Sequence, residues 1–295
     1  MPYLTGKPFR YSIACYNLAK LPNQPDILRM VAAMFNDLPR PIIFAHRGAS
    51  AHAPENTLAA FELALRQGAD AVELDAKLTA DGQIVVIHDQ TVDRTTDGSG
   101  RVKDLTLAEL RKLDAGSHFD IAFRGEPIPT LEEVLKAIGQ LTFVNIELTN
   151  YASILDQLPE KTAVLVKRLK LSRRVMFSSF NPISLRRAHH LLPEVPIGFL
   201  ATPGFSGSFV RSWLGRLIVP YLTLNPEHRD VTPKIITQLH KLDRGVLTYT
   251  VNDNDEIDRL FQLGVDGIFT DDPPLALRIR NLAKRNRSPN APVKS

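Results

Sequence analysis

Two histidines and an arginine crowd the stretch AHRGASAHAPENT at 45–57. Two acids one residue apart, Glu73 and Asp75, stand in AVELDAK, and His88-Asp89 closes IVVIHD. Glu147 ends FVNIE. Carboxylates brought together repel one another unless a cation joins them. Ligation by oxygen alone suits a hard ion, Mg²⁺ or Ca²⁺, rather than zinc. The lone Cys15 excludes a Cys-based zinc site and an internal disulfide framework. A cation with Arg47 beside it makes a place for an anionic, phosphate-like group. Two imidazoles next to that place suit general acid–base chemistry near neutral pH.

Such chemistry requires the residues to meet. Short β-branched or aliphatic runs occur at 42–46, 71–77, 142–148, 174–180, 196–201, 220–224, 246–251 and 267–270, with helical patterns between them. Eight strands in βα rhythm suit an α/β fold, a single (β/α)8 TIM-type barrel; a doubly wound sheet is the competing layout. One connection is too short for a parallel crossover. TADGQ, with Asp-Gly at 81–82, must turn an extra β-hairpin after the second strand. That hairpin brings His88 roughly opposite Asp75, and alternation puts Glu73 and Asp75 on one face. Polar residues at strand C-terminal ends point into a barrel's mouth. His46, Arg47, Glu73, Asp75, His88 and Glu147 are therefore expected to converge there, with Ser179, Asn225, Tyr249 and Asn252 from later strands.

Helix signals fall where crossovers are needed. Pro54 opens a run with Leu58, Phe61 and Leu65 on one face, and Thr130 with Glu133 forms a capping-box pattern. Asn181-Pro182 and Thr232-Pro233 read as N-cap and N1 pairs. Residues 25–38 carry Ile27, Val31, Met34 and Leu38 along one stripe, expected to cover the barrel's closed end. The expected division is an N-terminal extension at 1–40, a barrel at 41–283 and a basic, disordered tail at 284–295.

With 295 residues, 44% of them hydrophobic and 23% charged, the chain can bury a large core. No apolar run approaches the roughly 20 residues of a membrane span, and no secretory signal is expected, so a cytoplasmic protein is the default. The pI near 9.2 does not imply a nucleic-acid partner. Six basic residues and no acid lie beyond Asp272, and without them the net charge of +4 falls to −2.

The motifs HRGASAHAPENT, ELD at 73–75, VVIHD at 85–89 and RTTDGSGRVKDLTLAEL at 94–110 resemble the glycerophosphodiester phosphodiesterase family. So do IPTLEEVL at 128–135, NIEL at 145–148, SSFN at 178–181 and GVDGIFTDDP at 264–273. The resemblance covers about residues 42–275 in the family's order. It implies one divalent cation held by Glu73, Asp75 and Glu147, with His46 and His88 as the acid–base pair and Arg47 as a phosphate contact. It also implies release of glycerol 3-phosphate from glycerophosphodiesters. In one compatible scheme the neighbouring glycerol hydroxyl attacks phosphorus, one histidine takes its proton and the other protonates the departing alcohol. Water then opens the cyclic phosphate with the roles reversed. Direct water attack, and which histidine begins as base, stay open.

Two positions depart from the family pattern. A lysine commonly stands where this chain has Thr149, and a tryptophan where it has Tyr249, here expected to wall the substrate pocket. His52 has no expected partner and is read as exposed. Asp89 is expected to orient His88, and Asn56 to steady its loop. Residues 199–219, with Phe205, Phe209, Trp213, Arg211 and Arg216, read as a rim helix or as an apolar lip that touches lipid. The alternatives to a diesterase are a lysophospholipid-directed phospholipase D-like or lyase-type enzyme, and a non-catalytic barrel that binds phosphate esters.

Overall fold

The computed structural model describes residues 35, 37–151, 153–212 and 217–287. Nine strands form one sheet: β1 (Ile42–Ala45), β2 (Ala71–Leu78), β3 (Ile84–Val86), β4 (Phe143–Leu148), β5 (Val175–Ser179), β6 (Ile197–Ala201), β7 (Thr223–Pro226), β8 (Gly245–Thr248) and β9 (Gly267–Thr270). All but β3 are parallel, and β1 pairs with both β9 and β2, closing an eight-stranded barrel. β3 hangs antiparallel on β2, the hairpin the Asp-Gly turn predicts. Gly82 turns it at a φ of +72°, where a side chain would also meet Lys161 Nζ.

Helices α1 (Leu58–Arg66), α2 (Leu107–Leu110), α3 (Leu131–Ile138), α4 (Leu158–Arg168), α5 (Pro182–Leu191), α6 (Ser208–Arg211), α7 (Pro233–His240), α8 (Asn254–Leu263) and α9 (Pro273–Arg287) fall between and after the strands. Thr130 and Glu133 close the expected capping box on α3, while Asn181 and Thr232 cap α5 and α7 ahead of their prolines. Around the barrel, Leu74, Ile146 and Phe177 on outward strand faces pack against Phe61, Leu135 and Val166 of the helices. Arg280 of α9 pairs with buried Asp70, which also accepts from the Ile43 amide at 2.8 Å and so ties the last helix to the barrel's base.

Strand alternation sorts the barrel interior by height. Its base is apolar: Ile42, Phe44, Ala71, Phe143, Met176, Leu247 and Phe269 form one buried cluster, with Phe44 stacked on Phe269 at 4.7 Å. Continuing each strand by two or four residues turns Phe44 into His46, Ala71 into Glu73 and Asp75, Phe143 into Glu147, and Phe269 into Asp271. The period that packs the base therefore loads the mouth. A satellite cluster of Val85, Ile87, Val92, Val102, Leu110, Ala115 and Ile128 lies under the excursion from β3 to α3.

Five expectations need correction or restriction. Helix α1 starts at Leu58, capped by Thr57, because Asn56 at a φ of +59° cannot continue a helix from Pro54. The sixth barrel strand, β7, begins at Thr223 rather than 220, since Pro220 has no N–H and Tyr221, buried 6.0 Å from Phe199, packs with it in the layer between strands and helices. The register sets Ile87, not His88, opposite Asp75, with the Ile87 amide donating to Asp75 O at 3.0 Å. The boundary expected at 284 falls inside α9, which runs to Arg287; residues 288–295 lie outside the described residues. So does the 25–38 stripe apart from Phe35, Asp37 and Leu38; Phe35 packs on Phe143 at 5.2 Å, at the barrel's base.

Candidate active site

Glu73 and Asp75 rise from β2 and Glu147 from β4, and parallel pairing sets Asp75 directly beside Glu147. One carboxylate oxygen from each lies within 4.8 Å of the others. Glu73 Oε2 accepts from the Arg47 amide at 2.9 Å, while Oε1 is buried without a partner. Asp75 is clasped by Asn56, whose amide donates to Oδ2 at 2.9 Å and whose carbonyl accepts from the Asp75 N–H at 3.2 Å. Asn56 thus orients a carboxylate of the cluster rather than only steadying its own loop. Glu147 Oε1 accepts from the Tyr151 hydroxyl at 2.5 Å. Burial, then the charges of Asp75 and Glu147, push Glu73 well above the ordinary carboxylate range, and burial with Asp75 pushes Glu147 up to about 8. An all-oxygen donor set with an orphaned carboxylate oxygen fits a hard divalent cation, which would relieve that repulsion.

Arg47 is placed by a backbone reversal. Arg47 itself has a φ of +57° and Gly48 one of +83°, and a Cβ on Gly48 would sit 2.7 Å from Ala60. The turn sends the Arg47 amide to Glu73, its Nε within 3.4 Å of Asp75 and its Nη1 to Glu55 at 2.9 Å. Nε is buried without a hydrogen-bond partner.

Both expected histidines use Nδ1 on a carboxylate: His46 meets Asp271 Oδ1 at 2.7 Å and His88 meets Asp89 Oδ1 at 2.7 Å. A carboxylate only accepts, so Nδ1 carries the proton in each ring and Nε2 is the nitrogen left for proton exchange. Asp271 is oriented by Ser50 Oγ at 3.0 Å and Asn252 Nδ2 at 2.6 Å. Burial works to raise Asp271, yet the bond and charge of His46 bring it down to about 2. Hydrogen bonding to Arg94, against burial, and then to His88 holds Asp89 well below the carboxylate range.

His46, Arg47, His88, Glu73 and Glu147 line a cavity of about 240 Å³. Phe180, Leu200 and Tyr249 line it as well, and Phe180 meets both Tyr151 and Tyr249 edge-on. Tyr249 presents its ring rather than its hydroxyl, which donates to Ala201 O at 2.7 Å. His52 does not reach the cavity; its Nε2 lies 3.2 Å from Asp272. Asn225 is fully buried in the barrel and accepts from Thr223, and Ser179 donates to Leu148 O. In the 199–219 segment, Phe209 and Leu217 are exposed, whereas Arg211 is engaged by Asp230 at 2.8 Å. Trp213 and Arg216 lie outside the described residues.

Asp271, Glu55, Arg94 and Tyr151 were not singled out by sequence reasoning. Asp271 had a signal, being the next inward position after Phe269 on β9. The other three stand in loops, where no period announces a direction.

Comparison with known proteins bears directly on this site. Residues 46–275 match the model of the glycerophosphoryl diester phosphodiesterase family. A glycerophosphodiester phosphodiesterase of Caldanaerobacter subterraneus subsp. tengcongensis is 42% identical over 239 residues, covering 81% of this chain and 97% of its own. A putative glycerophosphodiester phosphodiesterase of Bacillus subtilis is 42% identical over 236 residues, covering 80% and 96%. Among solved structures, an Oleispira antarctica phosphodiesterase in complex with the product sn-glycerol-3-phosphate is 30% identical at a TM-score of 0.75, covering 84% of this chain and 99% of that one.

Proposed function

Because the chain belongs to the glycerophosphoryl diester phosphodiesterase family, and is with it a phosphoric diester hydrolase, we propose that it hydrolyses glycerophosphodiesters to glycerol 3-phosphate and an alcohol by cation-dependent, two-histidine acid–base catalysis. The observation that carries this reading is one cavity lined by Glu73, Glu147, Arg47 and both Nδ1-anchored histidines. A divalent ion held by Glu73, Asp75 and Glu147 would supply positive charge to a phosphoryl oxygen. Arg47 binds the phosphate. Nε2 of one histidine, its ring neutral, takes a proton from the attacking hydroxyl, and Nε2 of the other, its ring an imidazolium, gives one to the leaving alcohol. Phe180 and Leu200 give the cavity an apolar wall beside the reacting centre. The test is incubation with glycerophosphocholine and assay of glycerol 3-phosphate, with and without chelator. Chelator-sensitive release is expected; no turnover under any divalent ion sinks the reading for that substrate. Product analysis by phosphorus NMR separates hydrolysis from a lyase, which stops at the cyclic phosphate.

A second reading takes lysophospholipids as substrates. Exposed Phe209 and Leu217, on the chain that leaves the C-terminal end of β6, favour it. Faster turnover of a lysophospholipid than of glycerophosphocholine, lost in Phe209→Ser with Leu217→Ser, is its expected signature; equal loss on both substrates counts against it.

A further inference from the structure

Arg94 makes no contact with the carboxylate cluster, yet its guanidinium is the knot between two loops. Nε and Nη2 donate to Asp89 Oδ2 and Oδ1 at 2.7 and 3.1 Å, while Nη1 and Nη2 donate to Glu55 Oε2 and Oε1, both at 2.8 Å. Each carboxylate then reaches one cavity-lining side chain. Glu55 Oε1 accepts from Arg47 Nη1 at 2.9 Å, and Asp89 Oδ1 holds His88 Nδ1 at 2.7 Å. A continuous chain, Arg47–Glu55–Arg94–Asp89–His88, thus spans the mouth. Burial works to raise Glu55, but Arg94 and Arg47 bring it down to about 2, so both links remain anionic.

The two loops need such a link. Glu55 lies between β1 and α1, on the barrel. Asp89 and Arg94 lie in the excursion after β3, which packs around its own satellite cluster rather than on the main core. The Ile87 amide, donating to Asp75 O at 3.0 Å, ties the backbone before His88 to β2, but that ladder bond does not by itself set the direction of the His88 ring relative to the Arg47 guanidinium. A planar guanidinium that takes two carboxylates in bidentate fashion does so, and an ammonium, being a point donor, does not.

We propose that Arg94 is a positioning residue for the phosphodiesterase reaction, holding Glu55 and Asp89 so that Arg47 and His88 face one another across the cavity. This rests on the roles given to Arg47 and His88 above. The test compares wild type, Arg94→Ala, Arg94→Lys and His88→Ala on glycerophosphocholine, with thermal unfolding of each and ¹⁵N-imidazole NMR of His88. Arg94→Ala is expected to lose about 10²-fold in kcat, the scale of a 1 Å misplacement, and to regain at least tenfold with millimolar ethylguanidinium. Arg94→Lys is expected to recover less than that. The His88 ring is expected to be Nδ1-protonated in wild type and a tautomer mixture in Arg94→Ala. Arg94→Ala with kcat within threefold of wild type, or with an unchanged His88 tautomer, overturns the inference. A loss of kcat that merely follows a fall in Tm and resists ethylguanidinium overturns it too. An active His88→Ala instead sinks the acid–base reading itself. The NMR arm decides the positioning question even where turnover is absent, and Arg94→Gln replaces Arg94→Ala if the latter does not fold.

Discussion

Lys77 and Thr149 meet across β2 and β4: the buried Lys77 ammonium donates to Thr149 Oγ1 at 2.8 Å and to Thr149 O at 3.1 Å. The family pattern leads one to expect a lysine at 149. Here a threonine stands there, and a cation reaches its position from the neighbouring strand, one inward step above Asp75. Burial lowers Lys77, and the charges of Asp75, Glu147 and Asp89 act against that lowering.

Replacing Lys77 by Met removes a positive charge close to the carboxylate cluster. A divalent cation should then bind several-fold tighter, because a like charge beside it is gone, while KM for the anionic diester rises about tenfold. Folding stability should change little or increase, since the cost of burying an ammonium disappears. Calorimetric cation titration together with steady-state kinetics checks both signs; weaker cation binding in Lys77→Met contradicts this account.

His46→Ala and His88→Ala are each expected to cost on the order of 10²–10⁴ in kcat, the scale of one general acid or base. His52→Ala should stay within about threefold of wild type, because His52 faces Asp272 outside the cavity. Single-turnover rates at saturating diester distinguish the three, and a severe His52 defect would reassign the pair.

Asp271→Asn keeps the shape of the His46 partner but replaces an acceptor with a group able to donate to Nδ1. The proton then moves to Nε2, the nitrogen meant for exchange. A loss of about 10²–10⁴ in kcat with little change in KM is expected, as for other carboxylate–imidazole pairs. Ser50→Ala, which removes only one of the bonds that orient Asp271, should cost far less.

Without a divalent cation, stability should fall as pH rises from about 5 to 8. Glu73 and Glu147 hold protons in the folded protein at pH values where the unfolded chain, at its ordinary carboxylate value near 4.5, has lost them. Raising the pH through that window therefore favours unfolding. Adding Mg²⁺ or Ca²⁺ should raise Tm most at the upper end, where both carboxylates are ionised for ligation. On the acid side, Asp271 and Glu55 are held down to about 2, so the stability they contribute is present above about pH 4 and lost as pH falls toward 2. Thermal scans across pH 3 to 9, with and without cation, read both limbs; a metal-free Tm that climbs from pH 5 to 8 would refute the carboxylate part.

Much of the site was legible because strand period and chemistry coincide. Once Ile42, Phe44 and Ala71 point inward, His46, Glu73 and Asp75 must follow them into the mouth, and the Asp-Gly turn allows only a hairpin that brings His88 near. Helix starts at Thr130, Asn181 and Thr232 were equally readable, since a cap acts within one turn of its own sequence. The apolar pattern starts β7 three residues early because Tyr221 and Leu222 are buried ahead of it, Tyr221 in the layer between strands and helices and Leu222 in the base. Asn56 was assigned only its own loop, although it closes on Asp75 from the β1–α1 connection.

What the sequence by itself determined is therefore the barrel, the hairpin and the inward-facing carboxylates and histidines, all consequences of a two-residue period and of local turns. Only the tertiary structure decided that Asp271 holds the His46 imidazole, that Tyr249 offers its ring and spends its hydroxyl on Ala201, and that Arg94 joins Glu55 to Asp89. Those contacts link residues up to 225 positions apart. Apart from Ala201 at the end of β6 and Asp271 on the inward period of β9, their partners lie in loops, whose directions come from backbone reversals such as Arg47-Gly48 and from packing against neighbours, which no periodicity in the chain encodes.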